Sequence, residues 1–368
     1  MIFTVLFYFF VAVTVIQILY YISFFSFAFY SSKKKMEDIT PDISIIVCAK
    51  NEEQNLQRLI PLLLKQKHPK FELVIINDAS TDNTLDVLDA FKGKDSRIKI
   101  VNVENNEAFW GNKKYALTLG IKAAKYNHLL FTDADCVPSS DLWVQEMSAQ
   151  FSSKKTIILG YGKYRSKRFS PVNLLVRYET LITAVQYFSY ARLGSPYMAV
   201  GRNLAYTKDE FFKVKGFINH MQIRSGDDDL FIKDAADRNN TTISIHPNSF
   251  TISEAPKSFI EWFRQKRRHI STSSHYKFKH QFFLTLFFLT KLSFWVLAPF
   301  IVFWEPIEIS LAIIGSYFIF NYITIGVSSK KLNETQVSYF LPFLELFLVL
   351  FQITIFIANT ISKPTHWK

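Results

Sequence analysis

The apolar run LLFTDADC at 129–136 ends in two aspartates one residue apart. In an extended chain residues i and i+2 lie on the same side, so Asp133 and Asp135 aim two carboxylates at one spot. They repel each other there unless something positive sits between them. One Mg²⁺ or Mn²⁺ ion held by such a pair would relieve the repulsion and could also take the oxygens of a diphosphate. The plainer reading is a loop whose aspartates cap a helix. Two other polar groups end apolar runs in the same way: Lys50-Asn51-Glu52 after ISIIVCA, and Asn77-Asp78 after FELVII.

The elements that position these groups follow from hydrophobic patterning. ISIIVCA (43–49) is an unbroken apolar run, as expected of a strand covered on both faces. FELVIINDAS (71–80), RIKIVNV (97–103) and HLLFTD (128–133) predict three further strands. Between them, 51–66, the stretch from Thr81 to Phe91, and 113–124 predict helices, the first with Leu56, Leu59, Ile60 and Leu63 on one face. Strands alternating with helices of this length predict an α/β fold with a doubly wound parallel sheet. Ligands in such sheets bind beyond the carboxyl ends of the strands. All three polar groups fall at that edge. No G-x-G-x-x-G or G-x-x-x-x-G-K-[ST] occurs, so a bound phosphate has to be held by a metal and basic side chains.

Composition sets this domain in a membrane. The 368 residues are 49% hydrophobic and 16% aromatic, with 37 phenylalanines, and the formal charge is +12. An excess of this sign suits anionic phosphates or an acidic lipid surface. Cys48 and Cys136 are the only cysteines, which leaves no disulfide framework and no metal-type cysteine spacing. Residues 2–30 carry no charge and exceed the roughly 20 residues that a spanning helix needs. Lys33-Lys34-Lys35 follow that run, which places the amino terminus outside and the next domain in the cytoplasm. Residues 281–304, about 307–327 and about 338–361 read as three more spans. Lys330 and Lys331 fit this alternation, whereas Lys363 and Lys368 would fall outside, against the rule. Lys291 and Glu345 lie within the spans, where charge is costly. Lys291 could snorkel to an interface and Glu345 face a neighbouring helix, or either could be functional.

Seven motifs occur in order: ISIIVCAKNEE, IINDASTDNT, GNKKYAL, FTDADC, GRNLAY, SGDDDLF and QKRRH. In these the chain resembles the membrane-integral family 2 glycosyltransferases, related to the synthases of hyaluronan, chitin, cellulose and poly-N-acetylglucosamine. The resemblance covers roughly residues 42–275. It implies a GT-A type, mostly parallel sheet flanked by one amino-terminal and about three carboxyl-terminal transmembrane helices. It also implies a nucleotide-diphospho-sugar donor, a divalent metal and inversion at the anomeric carbon. Carried over by position, Asn51, Glu52 and Asp78 contact the donor nucleoside, Lys113 reaches its ribose or diphosphate, and Asp133 and Asp135 serve nucleoside and metal. The plainer alternatives are that Asp78 caps the following helix and that Lys113 or Lys114 is a surface lysine. The base comes from SGDDDLF. Against the family pattern Glu-Asp-x-x-Leu, the spacing to Leu230 selects Asp227 with Gly226 in the place of Glu, and the acidic doublet selects Asp228. These acids could also simply open a helix. QKRRH matches Gln-x-x-Arg-Trp except at its last residue. Arg268 is placed to pair with the diphosphate, and Gln265, His269 and Asp229 to line the acceptor site. His269 in the place of Trp weakens a stacking platform for a growing polymer.

The expected organisation is a transmembrane helix at 1–30, a cytoplasmic catalytic domain at 40–275 and three transmembrane helices over 281–361. Residues 171–194 carry a helical stripe of Leu174, Leu175, Tyr178, Leu181, Ile182, Val185 and Phe188. Such a stripe reads as core packing or as an in-plane interfacial helix, and about 256–275 reads as a second one. The leading function is transfer of one sugar from a UDP-sugar to a lipid, lipid-linked or glycan acceptor at the bacterial inner membrane, with Mg²⁺ or Mn²⁺. A processive synthase extruding its polymer, with a homo-oligomer or an export partner supplying channel walls, is the alternative. A catalytically silent membrane scaffold is a third reading. A nucleic-acid partner is disfavoured because the basic residues cluster beside the apolar segments.

Overall fold

Each strand expected from an unbroken apolar run is a strand in the computed structural model, which describes residues 1–31, 40–104, 113–223 and 225–362. Lys33–Lys35, Gly111-Asn112 of the GNKKYAL motif, Lys363 and Lys368 lie outside the described residues. In chain order the elements are α1 (Ile2–Ala28), β1 (Ile43–Ala49), α2 (Glu53–Leu64), β2 (Phe71–Asp78), α3 (Thr84–Lys92), β3 (Ile98–Val103), α4 (Lys113–Ala123) and β4 (His128–Asp133). There follow β5 (Cys136–Pro138), α5 (Trp143–Ser148), β6 (Ile157–Leu159), β7 (Gly162–Tyr164), α6 (Pro171–Arg192), β8 (Leu204–Thr207) and α7 (Lys208–Lys213). The remainder are α8 (Asp229–Ala235), β9 (Thr241–Ile243), β10 (Thr251–Ser253), α9 (Phe259–Ile270), α10 (Phe278–Trp304), α11 (Ile307–Lys331) and α12 (Leu341–Ile361). They group into two compact units, one made of residues 1–31, 167–190 and 256 onward, the other of residues 40–166 and 191–255.

The second unit holds a seven-stranded sheet in the order β3-β2-β1-β4-β8-β6-β9 and a three-stranded one in the order β5-β10-β7. β3, β2, β1 and β4 are mutually parallel, β8 runs antiparallel to both β4 and β6, and β9 is parallel to β6. The sheet is therefore mixed and mostly parallel. One face is sealed by Leu56, Leu59, Ile60 and Leu63 of α2 with Leu88 of α3 and Trp143 of α5, all fully buried against Ile45, Val47 and Ile75. On α4, Gly120 comes so close to Ile76 of β2 that an added Cβ would lie 2.3 Å from its Cδ1. Order and register set the site. Cys48 of β1 pairs with Asp133 of β4, and Ala49 with Asn77 of β2. The sheet reverses its winding between β1 and β4, the place where open α/β sheets leave a crevice.

Among the described residues, the first unit holds four helices long and apolar enough to cross a membrane: α1, α10, α11, and α12 with the 3₁₀ turn Thr335–Phe340 before it. α1 packs antiparallel to α10, with Phe3 against Trp304, Phe10 stacked on Phe294, and the Tyr20 hydroxyl donating to the Phe283 carbonyl. It packs parallel to α11, where Lys331 Nζ donates to the carbonyls of Phe27, Ala28 and Tyr30 and so caps the end of α1. Lys291 and Glu345 meet each other: Lys291 Nζ lies 3.1 Å from Glu345 Oε2. The Glu345 carboxylate also accepts from Tyr21, Asn321, Trp295 and Tyr317. Neither side chain snorkels; a charge held away from water needs this many partners. α6 is buried round most of its circumference, Arg177 and Glu179 included with the apolar stripe.

Candidate active site

Asp133, the last residue of β4, is drawn to Lys113, the first residue of α4. Lys113 Nζ lies 3.0 Å from Asp133 Oδ1 and 3.1 Å from Asp227 Oδ2. One ammonium thus bridges the Asp-x-Asp motif and the acidic triplet, which are about ninety residues apart in sequence and join only in the fold. Burial alone would lower the Lys113 pKa, but the two carboxylates reverse this and hold it well above its ordinary value. Burial pushes Asp227 up, and Lys113 more than offsets this, so that Asp227 lies below the usual carboxylate range. Lys113, Asp133, Asp227 and Asp228 line one cleft with Cys48, Thr132, Gly201 and Tyr206.

Local geometry separates the triplet's members. Gly226 has φ +82°, a left-handed conformation that glycine adopts without strain and a glutamate would not. Asp228 is the N-cap of α8: its Oδ1 accepts from the Asp229 backbone N–H at 2.8 Å, and its Oδ2 from the Gly201 N–H at 2.7 Å. Burial and the neighbouring Asp227 charge raise its pKa to about 6. Gly201 belongs to GRNLAY, and a Cβ there would sit 3.3 Å from Asp228 Oδ2. Asp229 is buried in the first turn of α8.

Asp135 is exposed at the rim beyond Asp133. Although the residue as a whole is exposed, its carboxyl is largely shielded from water, and this shielding, then the Asp133 charge, raises its pKa. One ligand atom each from Asp133, Asp135 and Cys136 lie within 4.8 Å of one another, and Cys136 Sγ donates to Asp135 Oδ1 at 3.3 Å. Two carboxylates at this spacing fit a hard divalent cation, with the thiol as a softer third donor. Asp78 is half-buried at the end of β2; burial raises its pKa, and Lys50 and Lys113 pull it down. Asn51, at φ +57°, accepts from the Thr81 backbone N–H at 2.8 Å and pins the β1–α2 loop to the β2–α3 loop. Glu52 Oε2 accepts from Asn55 at 2.6 Å. Gln265, Arg268 and His269 stand on α9 in the helical unit.

Two participants escaped sequence reasoning. Cys48 lies among Lys113, Asp78, Asp227 and Asp133, and burial pushes its thiol up to about 12. Its place at the end of β1 was the available signal. Lys114 is buried, and its Nζ donates to the carbonyls of His220, Ile223 and Ser225 at 2.9, 2.8 and 2.9 Å. It fastens the segment that leads into Gly226 and Asp227. Burial lowers its pKa to about 8. Lys114→Met would leave those carbonyls without this donor, at a cost of about 1–3 kcal/mol. A lowered unfolding temperature of the purified protein is the expected result, and an unchanged one would remove Lys114 as the anchor.

Residues 44–208 match the family profile described as Glycosyl transferase family 2. The chain carries a family 2 glycosyltransferase domain. Among curated relatives, poly-beta-1,6-N-acetyl-D-glucosamine synthase of Staphylococcus epidermidis is 36% identical over 99 residues, 27% of this chain and 23% of that protein. The 4,4'-diaponeurosporenoate glycosyltransferase of Staphylococcus haemolyticus is 33% identical over 105 residues, 28% of this chain and 26% of that protein. The chain thus aligns with about a quarter of the length of each of these relatives. The solved mannosyltransferase PcManGT from Pyrobaculum calidifontis, in complex with GDP-Man and Mn²⁺, superposes with a TM-score of 0.55 at 14% identity, over 93% of this chain and 99% of that one. This likeness shows a shared fold. The glycosyltransferase domain accordingly has the GT-A-like sheet, its acidic groups gathered at the carboxyl edge of the parallel strands.

Proposed function

We propose that this chain transfers a single sugar from a UDP-sugar to a lipid or lipid-linked acceptor at the membrane, with inversion at the anomeric carbon. The observation that carries the reading is the Lys113 bridge between Asp133 and Asp227, with Asp135 open at the rim beside it. Asp227 is the general base. It accepts the proton of the acceptor hydroxyl as that oxygen bonds to the anomeric carbon, and the nucleoside diphosphate leaves with the electron pair of the broken bond. Lys113 is drawn toward the donor phosphates, which releases Asp227 for this task. Asp135 and Asp133 would hold Mg²⁺ or Mn²⁺, which when bound neutralises charge on the diphosphate. Asp78, Asn51 and Glu52 border the nucleoside. Arg268 serves the diphosphate, and Gln265 and His269 the acceptor, as their motif implies. The glycosyltransferase domain lies in the cytoplasm, with the long helices in the inner membrane.

The relative named as a polysaccharide synthase favours a second reading, a processive enzyme completed by a second copy or an export partner. His269 in the place of Trp favours single transfer. The test is purified full-length chain in lipid nanodiscs with Mn²⁺ and a panel of UDP-sugars, followed by UDP release and mass analysis of the lipid extract. One UDP-sugar is expected to yield a lipid heavier by one sugar. A ladder of masses would install the synthase reading, and no UDP release with any donor would leave a silent scaffold.

A further inference from the structure

Length and composition allow α12 to cross the membrane, but its contacts turn it back. α1 ends, α10 begins and α11 ends at one face of the helical unit, because Tyr20 meets Phe283 and Lys331 caps Phe27 and Ala28. The opposite face holds Phe3 and Trp304. Residue number along α10 therefore measures distance from the first face. Glu345, in the second turn of α12, bonds Lys291 and Trp295. Phe356, eleven residues later, packs on Phe288, with ring centroids 5.2 Å apart. A helix crossing outward would have advanced about 16 Å over those residues at 1.5 Å each, to the last turn of α10. α12 instead comes back by one to two turns.

Both ends of α12 are held at the first face. Before it, Glu334 forms a buried ion pair with Arg177 of α6, and its backbone N–H donates to the Ser329 carbonyl. After it, Arg267 of α9 binds the Asn359 side chain, the Ala358 carbonyl and Ser362. α9 is fixed in turn to α6 by Lys266 and Glu179, two residues from Arg177. α6 itself reaches the end of α1 through Phe188 on Phe27, and the start of α10 through Tyr190 on His280. Trp262 of α9 stacks on Phe351 with centroids 4.0 Å apart, so the two helices run side by side.

We propose that α12 is a re-entrant helix: it dips into the apolar layer as far as Glu345 and returns to the face where it began. The chain then crosses three times. Ser362, held by Arg267, then lies on the same side as Lys330 and Lys331, so the lysines that follow it in the sequence no longer conflict with the positive-inside tendency. Phe343, Leu350, Ile357 and Ile361, all exposed, face acyl chains of that leaflet.

The test is labelling of the full chain in sealed vesicles with a membrane-impermeant maleimide, using His275→Cys, Glu305→Cys and Lys363→Cys. The wild-type chain, with Cys136 buried and Cys48 half-buried, gives the background. His275→Cys and Lys363→Cys are expected to label from one side and Glu305→Cys from the other. Lys363→Cys labelling with Glu305→Cys would overturn the proposal. A second readout is oxidative cross-linking of paired cysteines. Phe288→Cys with Phe356→Cys is expected to cross-link, and Phe303→Cys with Phe356→Cys is not; the reverse result also overturns it. Neither readout depends on catalysis, so the proposal stands or falls apart from the function.

Discussion

Asp227→Asn is expected to lower kcat by roughly 10²–10⁴-fold while donor affinity changes only a few-fold. The substitution keeps size and shape but removes the carboxylate proposed to take the acceptor proton. Lys113 retains Asp133 as a partner, so the cleft keeps its cation. Asp228→Asn provides the contrast. Its carboxylate accepts from the Asp229 and Gly201 backbone N–H groups, and one of those bonds survives in the amide. The expected cost there is about 1 kcal/mol of stability, the usual scale for a helix cap, with turnover reduced much less. Steady-state kinetics with calorimetric titration of UDP on both variants decides between them. If Asp228→Asn alone abolishes transfer with folding intact, the base is Asp228, whose pKa of about 6 would suit the task.

Asp135→Ala is expected to reduce transfer by roughly 10²-fold or more, the scale of several kcal/mol of charge stabilisation lost with a metal ion. Asp135 makes no contact with Lys113 among the bonds described, so the Lys113 bridge should persist and the fold remain intact. Chelation of the wild-type chain should reproduce the loss, and excess Mn²⁺ should restore the wild type fully but Asp135→Ala only in part. The deciding measurement is donor binding with and without Mn²⁺. A variant whose donor affinity still responds to Mn²⁺ as the wild type does would remove Asp135 from the metal site.

Much of the glycosyltransferase domain is legible in local sequence pattern. The unbroken runs at 43–49 and 128–133 form neighbouring parallel strands, and their polar ends meet at one edge because parallel strands share a direction. What local pattern does not carry has one cause, dependence on partners far away in sequence. Lys113 and Lys114 are adjacent and alike in type, yet one bridges two carboxylates and the other binds three carbonyls of the loop before Asp227. Adjacent residues of a helix point about 100° apart, and which of them meets which neighbour depends on what packs there.

By itself the sequence determined the alternating strand and helix order, the acidic groups that close the strands and the four long apolar helices, since these follow from local periodicity and composition. Tertiary structure decided that Lys113 joins Asp133 to Asp227, that Asp228 is occupied as a cap, and that Lys291 and Glu345 satisfy each other. It also decided that the last apolar helix meets Phe288 after Lys291 rather than before it. Hydropathy records how readily a segment leaves water. Direction and depth are settled by the polar groups it has to satisfy once there.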